Sequence, residues 1–327
     1  MTTLNGVPQT PYYVGGSGVS TPYGTLLPPG SKVAAYVRGT NGTLLNVSYD
    51  DPFIAKNTVA TLNEACKKVR SGYGDTIIVL PGHTENFAVA DAVPDLLAGT
   101  NILGAGRPGA SNNPTFTWTA TASTFLLNVA NVTVRGLNLN FAGIDAVVAP
   151  ITVSAAGCTL EYNHITIATG SFGATTPITV AAGAHNCLIA NNKMLATGTE
   201  TSVNVISVTG AVDNLEIAGN RISCTLTSAT GGIVQIGAAA TNLDIHHNLF
   251  YNNVEDGICI RVADTFAATG WIYYNMGKTI DAGGTVANTL KLVSFEGTTE
   301  SLIGCFENRS TDEAAASGVL SPAAAST

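Results

Sequence analysis

Five asparagines, Asn163, Asn192, Asn220, Asn248 and Asn275, recur at intervals of 29, 28, 28 and 27 residues, each closing a short run of alternating apolar positions. The runs read CTLEYNHI, CLIANNKM, LEIAGNRI, LDIHHNLF and GWIYYNMG, with an apolar residue three before each Asn. Two more segments fit the frame, VTVRGLNL at 132–139 with Leu137 in the Asn position and SLIGCFEN at 301–308 with Phe306 there. A unit of this length with period-two alternation is one strand-turn-strand circuit, which cannot bury its apolar face alone and must stack on copies of itself. The expected fold is therefore all-β, a single-stranded parallel β-helix of about 28 residues per coil. Its coils are expected to be right-handed, from the chirality of strand crossovers.

A second column supports two strands per coil. The pairs Ile151/Val153, Ile178/Val180, Ile206/Val208, Val234/Ile236, Ile258/Ile260 and Leu290/Leu292 precede the Asn runs by seven to twelve residues. Each Asn falls where the alternation breaks, which places it at a bend with its amide pointing inward. On rungs about 4.8 Å apart, successive amides can bond to one another and to turn backbone. The predicted role of the five is a structural ladder; plain turn formation by Asn explains the same letters.

At 327 residues and 45% hydrophobic the chain can bury a full core, and the unbroken repeat argues for one domain. At 28 residues each, about eight or nine coils fit. Charged residues make up only 11%, against a usual share of about 25%, so part of the surface is expected to be covered by other subunits. The net charge of −8 disfavours nucleic acid and anionic membrane as partners. The start MTTLNGVPQTPYYVGGSG has neither a basic nor an apolar leader region, which predicts synthesis in a cytoplasm without a standard export signal. Cys66, Cys158, Cys187, Cys224, Cys259 and Cys305 show no metal-ligand spacing and are expected as free thiols. Cys259, between Ile258 and Ile260, is expected on the outer side of its strand.

Residues 1–56 lack the repeat and carry Tyr12, Tyr13, Val14, Tyr23, Leu26 and Leu27 among Gly, Pro, Ser and Thr. An arm with aromatic anchors fits this composition, packed either on its own rod or on a partner. Residues 57–70 read as a capping helix, with Thr58 or Thr61 as N-cap and Val59, Leu62, Cys66 and Val69 as its apolar stripe. The solenoid is expected over 71–310, and the Ala/Ser-rich 311–327 as a flexible tail.

Two outward constellations carry chemistry. Glu216 and Asp244 fall one rung apart in one column, with His246 in the next; paired carboxylates near this spacing equip retaining glycosidases. A solvated polar face is the other reading of those residues. Glu255, Asp256, Arg261 and Asp264 cluster around an Asp-Gly turn, where turn chemistry alone explains the pair. No nucleophile elbow, phosphate loop, HExxH or calcium-binding nonapeptide is present, so no catalytic residue, metal or cofactor is assigned.

The coils resemble pectate-lyase-like and polygalacturonase-like solenoids, HHNLFYNN at 246–253 most of all. The Asn-Thr-Asp, Asp-Asp, Gly-His-Gly and Arg-Ile-Lys signatures of polygalacturonases are absent, and fold likeness without the site is weak support for an enzyme. Over residues 36–87, an arm, a short helix and then SGYGDTIIVLPGHTEN resemble the opening of small β-helix proteins carried among the head genes of tailed bacteriophages, which are capsid decoration or cement proteins. That resemblance covers about the first third of the chain closely and the solenoid generically. It implies a virion protein on the capsid surface, a homotrimer bound to the major capsid protein, with no catalytic residues and no role for His83 or Glu85 beyond the first turn. The competing expectations are a tailspike-type polysaccharide depolymerase or lyase acting through Glu216, Asp244 and His246, and a non-catalytic receptor-binding tail fibre.

Overall fold

The computed structural model describes residues 2–4, 7–9, 19–20, 26–27, 33–37, 58–88, 95–170, 172–198, 202–226, 231–252, 257–263, 267–279, 291–296 and 302–310. The described residues form a parallel β-solenoid with three faces, built on sheets of 12, 10 and 7 strands. Face one runs through nine successive rungs from Thr76–Val79 to Leu302–Phe306. Face two starts directly after the ladder position, as in His164–Gly170, Lys193–Gly198 and Arg221–Cys224. Face three holds the second apolar column and runs from Phe125–Leu127 to Lys291–Phe295, with Ile151–Val153, Ile178–Val180 and Ile206–Val208 stacked in strict register.

The apolar alternation predicted for faces one and three fills the interior. Val134, Leu160, Ile189, Ile217, Ile245 and Ile272 stack on face one, and Ile151, Ile178, Ile206, Val234 and Ile260 on face three, all buried. The last two face-three rungs sit differently from the sequence expectation. Val234 and Ile236 pair with Ile260 and Val262, and these in turn with Val293 and Phe295, so the column does not continue through Ile258/Ile260 and Leu290/Leu292. Ile258 instead pairs with Gly232, which carries no side chain, and the strand starts one inward position early. Cys259, expected on the outer side, is fully buried in the core cluster, and burial pushes its thiol well above the ordinary range. No two of the six cysteines are joined in a disulfide.

The ladder forms as a saturated chain of amides. Asn192 shows the pattern: its Nδ2 donates to the Leu160 carbonyl at 2.8 Å and to Asn220 Oδ1 at 3.1 Å. Its Oδ1 accepts from the Asn163 backbone N–H at 3.0 Å and from Asn163 Nδ2 at 3.1 Å. Two donors and two acceptor sites are thus all used in a dry interior, which is what lets a buried amide stabilise rather than cost. Leu137 begins the column, offering only its backbone N–H to Asn163 Oδ1. At the other end the column continues to Asn308, whose Oδ1 accepts from the Asn275 N–H and Nδ2, both at 3.0 Å. Phe306 is therefore not the ladder residue; it pairs with Tyr273 on face one.

The cap follows the predicted order. Thr61 is the N-cap of the helix Leu62–Cys66, its hydroxyl accepting from the Glu64 N–H, and Leu62, Ala65 and Cys66 are buried. The helix is shorter than the expected 57–70 because Thr58–Val59 is extended and pairs with Val33–Val37, which itself pairs with the first rung Thr76–Val79. Glu85 Oε2 accepts from the Leu62 N–H at 2.9 Å and lies 3.0 Å from His83 Nε2, so these two latch the cap to face two. Burial, with Glu85 and Asp95 nearby, pushes the Cys66 thiol up to about 12. Tyr12, Tyr13, Val14, Tyr23 and the tail 311–327 lie outside the described residues; Leu26–Leu27 is a short strand paired with Val19–Ser20.

The ladder gives a direct test. Asn220→Ala leaves the Asn192 N–H and one Asn192 Nδ2 hydrogen unpaired and removes a donor from the Ile189 carbonyl, and is expected to cost about 3–5 kcal/mol. Asn214→Gly, which loses exposed bonds to Asn186 and Asp213 while keeping its left-handed backbone, should cost less than about 1 kcal/mol. Denaturant unfolding of the two variants measures the difference.

Candidate functional site

Side chains gain a site here by stacking in register on the outside of face one. Glu216 pairs with Asp244 and Asp244 with Trp271, while Ala218, His246, Tyr273 and Phe306 form the adjacent column. The expected constellation is thus brought together: His246 Nε2 lies 3.3 Å from Glu216 Oε1 and 3.9 Å from Asp244 Oδ2. One imidazole bridges two half-exposed carboxylates. Asp244 Oδ1 has no accessible surface and no hydrogen-bond partner, so one lone-pair face of this carboxylate is unused.

The aromatic half of the face is not assigned from sequence. His246 and Tyr273 stack with centroids 5.0 Å apart, and Tyr273 stacks on Phe306 at 4.8 Å with the planes 9° apart. Trp271 stays 57% exposed and covers Gly304, where an added Cβ would clash with the indole. His247 and Tyr274 join from the neighbouring column with centroids 5.1 Å apart. The letters are present as HHN and GWIYYN, and the repeat aligns His246 with Tyr273, 27 residues on; Trp271, His247, Tyr274 and Phe306 join only through the rings' packing.

His247 and Tyr274 belong to a column that precedes the ladder by one residue: Gly136, Tyr162, Asn191, Gly219, His247, Tyr274 and Glu307 all have φ between 50° and 77°. This left-handed bend turns face one into face two and lets the next side chain point inward. Gly and Asn adopt it readily, whereas a large side chain there is strained by about 1 kcal/mol or more. Tyr162, His247 and Tyr274 hold that conformation while remaining on the surface. A second left-handed column, Asn131, Gly157, Asn186, Asn214 and Asn242, sits six residues before the first five ladder positions and opens face one. It is the outer counterpart of the ladder, and its letters lie in the same repeat.

The remaining expected site divides. Arg261 donates to Gln235 Oε1 at 3.1 Å and pairs with Glu296, so its charge is held within face three. Glu255, Asp256 and Asp264 lie outside the described residues. Among the described residues no group of three or more His, Cys, Asp and Glu side chains is arranged to hold a metal ion.

Chemically, the face offers carboxylates to accept hydroxyl protons, an imidazole able to hold a proton between them, and rings to stack on flat apolar surface. Burial, then the Asp244 charge and the phenol's hydrogen bond to that carboxylate, and after these the Glu216 charge, hold the Tyr273 phenol above its ordinary pKa. Asp244→Asn removes the nearest charge, so Tyr273 is expected to ionise at lower pH than in the unaltered chain. An ultraviolet difference titration of phenolate, wild type against variant, checks it; an unmoved midpoint means the carboxylate does not act on the ring. Searches of family models, curated proteins and solved structures return no match.

Proposed function

We propose that this chain is a structural protein of a tailed-phage particle, a head decoration protein that binds the major capsid protein as a homotrimer through its N-terminal arm. The observation that carries this reading is how the chain enters the rod. Thr2–Leu4 pairs with Val7–Gln9, and Val19–Ser20 with Leu26–Leu27, as two hairpin sheets separate from the three faces. Val33–Val37 joins face one, beside the cap helix. The described strands of the first 27 residues thus pair among themselves, outside the sheets of the solenoid. The low charge content and the resemblance over residues 36–87 support the same reading.

A cement protein acts by covering surface that the capsid subunits leave open, and several arms on one oligomer multiply a weak contact. A rod locked by the ladder suits that work because covering a lattice needs no moving part. Deleting residues 2–30 is expected to leave a folded solenoid that no longer binds capsids in a co-sedimentation assay; retained binding would refute the arm's role.

A second reading is favoured by the Glu216, Asp244 and His246 cluster, which fits a polysaccharide depolymerase or lyase. Under it, Glu216→Ala and Asp244→Ala each abolish cleavage of host surface polysaccharide by the purified protein. Under the decoration reading, wild type and both variants leave the polysaccharide intact, and head particles, not tails, carry the chain.

A further inference from the structure

A cavity of about 370 Å³ opens beside the same bend, toward the N-terminal end of the rod from the acidic face. Arg135, Tyr162, His164 and Lys193 line it, together with apolar Leu103 and Pro108. The volume lies within the usual range for small-molecule sites, roughly 300–1,000 Å³.

Its electrostatics are unbalanced in one direction. Arg135 is compensated, with Nη1 3.3 Å from Glu161 Oε1, and its guanidinium lies 4.6 Å from the centre of the Tyr162 ring. His164 and Lys193 are not. They are register partners on adjacent rungs, about 4.8 Å apart along the sheet, and the next residue in the column is Arg221, whose guanidinium lies over the Tyr251 ring. Among the described residues, neither the His164 ring nor the Lys193 ammonium has a hydrogen-bond or ion-pair partner. Partial burial, and after it the Lys193 charge, lowers the His164 pKa. A chain with 14 Lys and Arg, 5 His and a net charge of −8 thus stacks three basic side chains on successive rungs. Lys193 and Arg221 are like charges one rung apart, which is unfavourable, and an anion held at Lys193 relieves that repulsion.

The walls narrow the class of that anion. A bare inorganic ion needs only the cations. Here a tyrosine ring, 44% exposed and held at φ 53°, stands beside them, with Leu103 and Pro108 on the cavity wall. That combination matches a ligand having both an acid group and a flat C–H surface. We propose that this cavity binds an anionic saccharide, a uronate or sulfated sugar, with its acid group on Lys193 and His164 and its ring against Tyr162. The proposal is independent of the arm's role and of the Glu216 and Asp244 face.

The experiment follows the His164 ring by NMR in the full chain across pH, alone and with galacturonate, galactose or inorganic sulfate. Galacturonate is expected to raise the His164 midpoint by about one pH unit, as a carboxylate within contact distance does. Lys193→Gln should abolish the response at matched concentration. Tyr162→Asn, which keeps a residue suited to left-handed backbone as Asn191 does one rung on, should weaken galacturonate about five- to tenfold. Unchanged thermal unfolding of both variants shows that the rod is intact. No response to galacturonate overturns the proposal, as does an equal response to galactose. An equal response to sulfate, with Tyr162→Asn without effect, reduces the cavity to a bare-anion site and also overturns it.

Discussion

The buried amide column is the interaction on which the rest of this structure depends. Hydrophobic stacking alone does not fix how one coil sits on the next, because Ile on Ile tolerates sliding along the strand. An amide does not. Asn220 Nδ2 reaches the Ile189 carbonyl on one rung and Asn248 Oδ1 on the next, and a shift of one residue would leave both ends of this link unpaired in a dry interior. A slip would also send the apolar set to the outer face. The ladder therefore sets register, and register in turn sets which surface side chains meet.

Much of that is visible in the letters. The period, two of the three faces, the Asn column and the outward alignment of Glu216 with Asp244 all follow from alternation and spacing. Asn308 escapes because the interval from Asn275 stretches to 33 residues, and the apolar residues of SLIGCFEN fit two frames equally well. The third strand of each coil is hidden for another reason. It begins at the residue after the ladder Asn with an outward side chain of any type, His164, Lys193, Arg221 or Leu249, so only Ile165, Met194, Ile222 and Phe250 betray it. Cys259 defeats the outward reading because alternation tells which side a residue takes, not whether that side is covered.

The surface sites are less legible than the core for a physical reason. Core columns repeat one chemical type on every rung, whereas a functional column changes type from rung to rung. Face one reads Arg135, Glu161, Ala190, Ala218, His246, Tyr273 and Phe306 along a single outward line. No repeat statistic marks such a line. Spacing from the ladder aligns the line as far as Tyr273, and the register adds Phe306 and shows the ion pair and the aromatic stack at its two ends.

Both surface sites border the left-handed bend beside the ladder, and the bend explains why. The tight turn needs one residue at positive φ per coil, and the ladder amide next to it holds that residue in place through its own bonds. A large side chain can therefore be kept in a conformation it would otherwise leave, with its ring fixed against the surface. Tyr162 is held in this way at the cavity, and His247 and Tyr274 at the acidic face. On other rungs Gly136, Asn191 and Gly219 fill the position without strain, and Glu307 fills it on the last. The strain at the bend is thus distributed by rung, and at three of its four strained residues, Tyr162, His247 and Tyr274, an aromatic ring stands beside charge. A rigid scaffold can recognise a ligand only by fixing side chains in advance, and here the same amide column that aligns the core does the fixing.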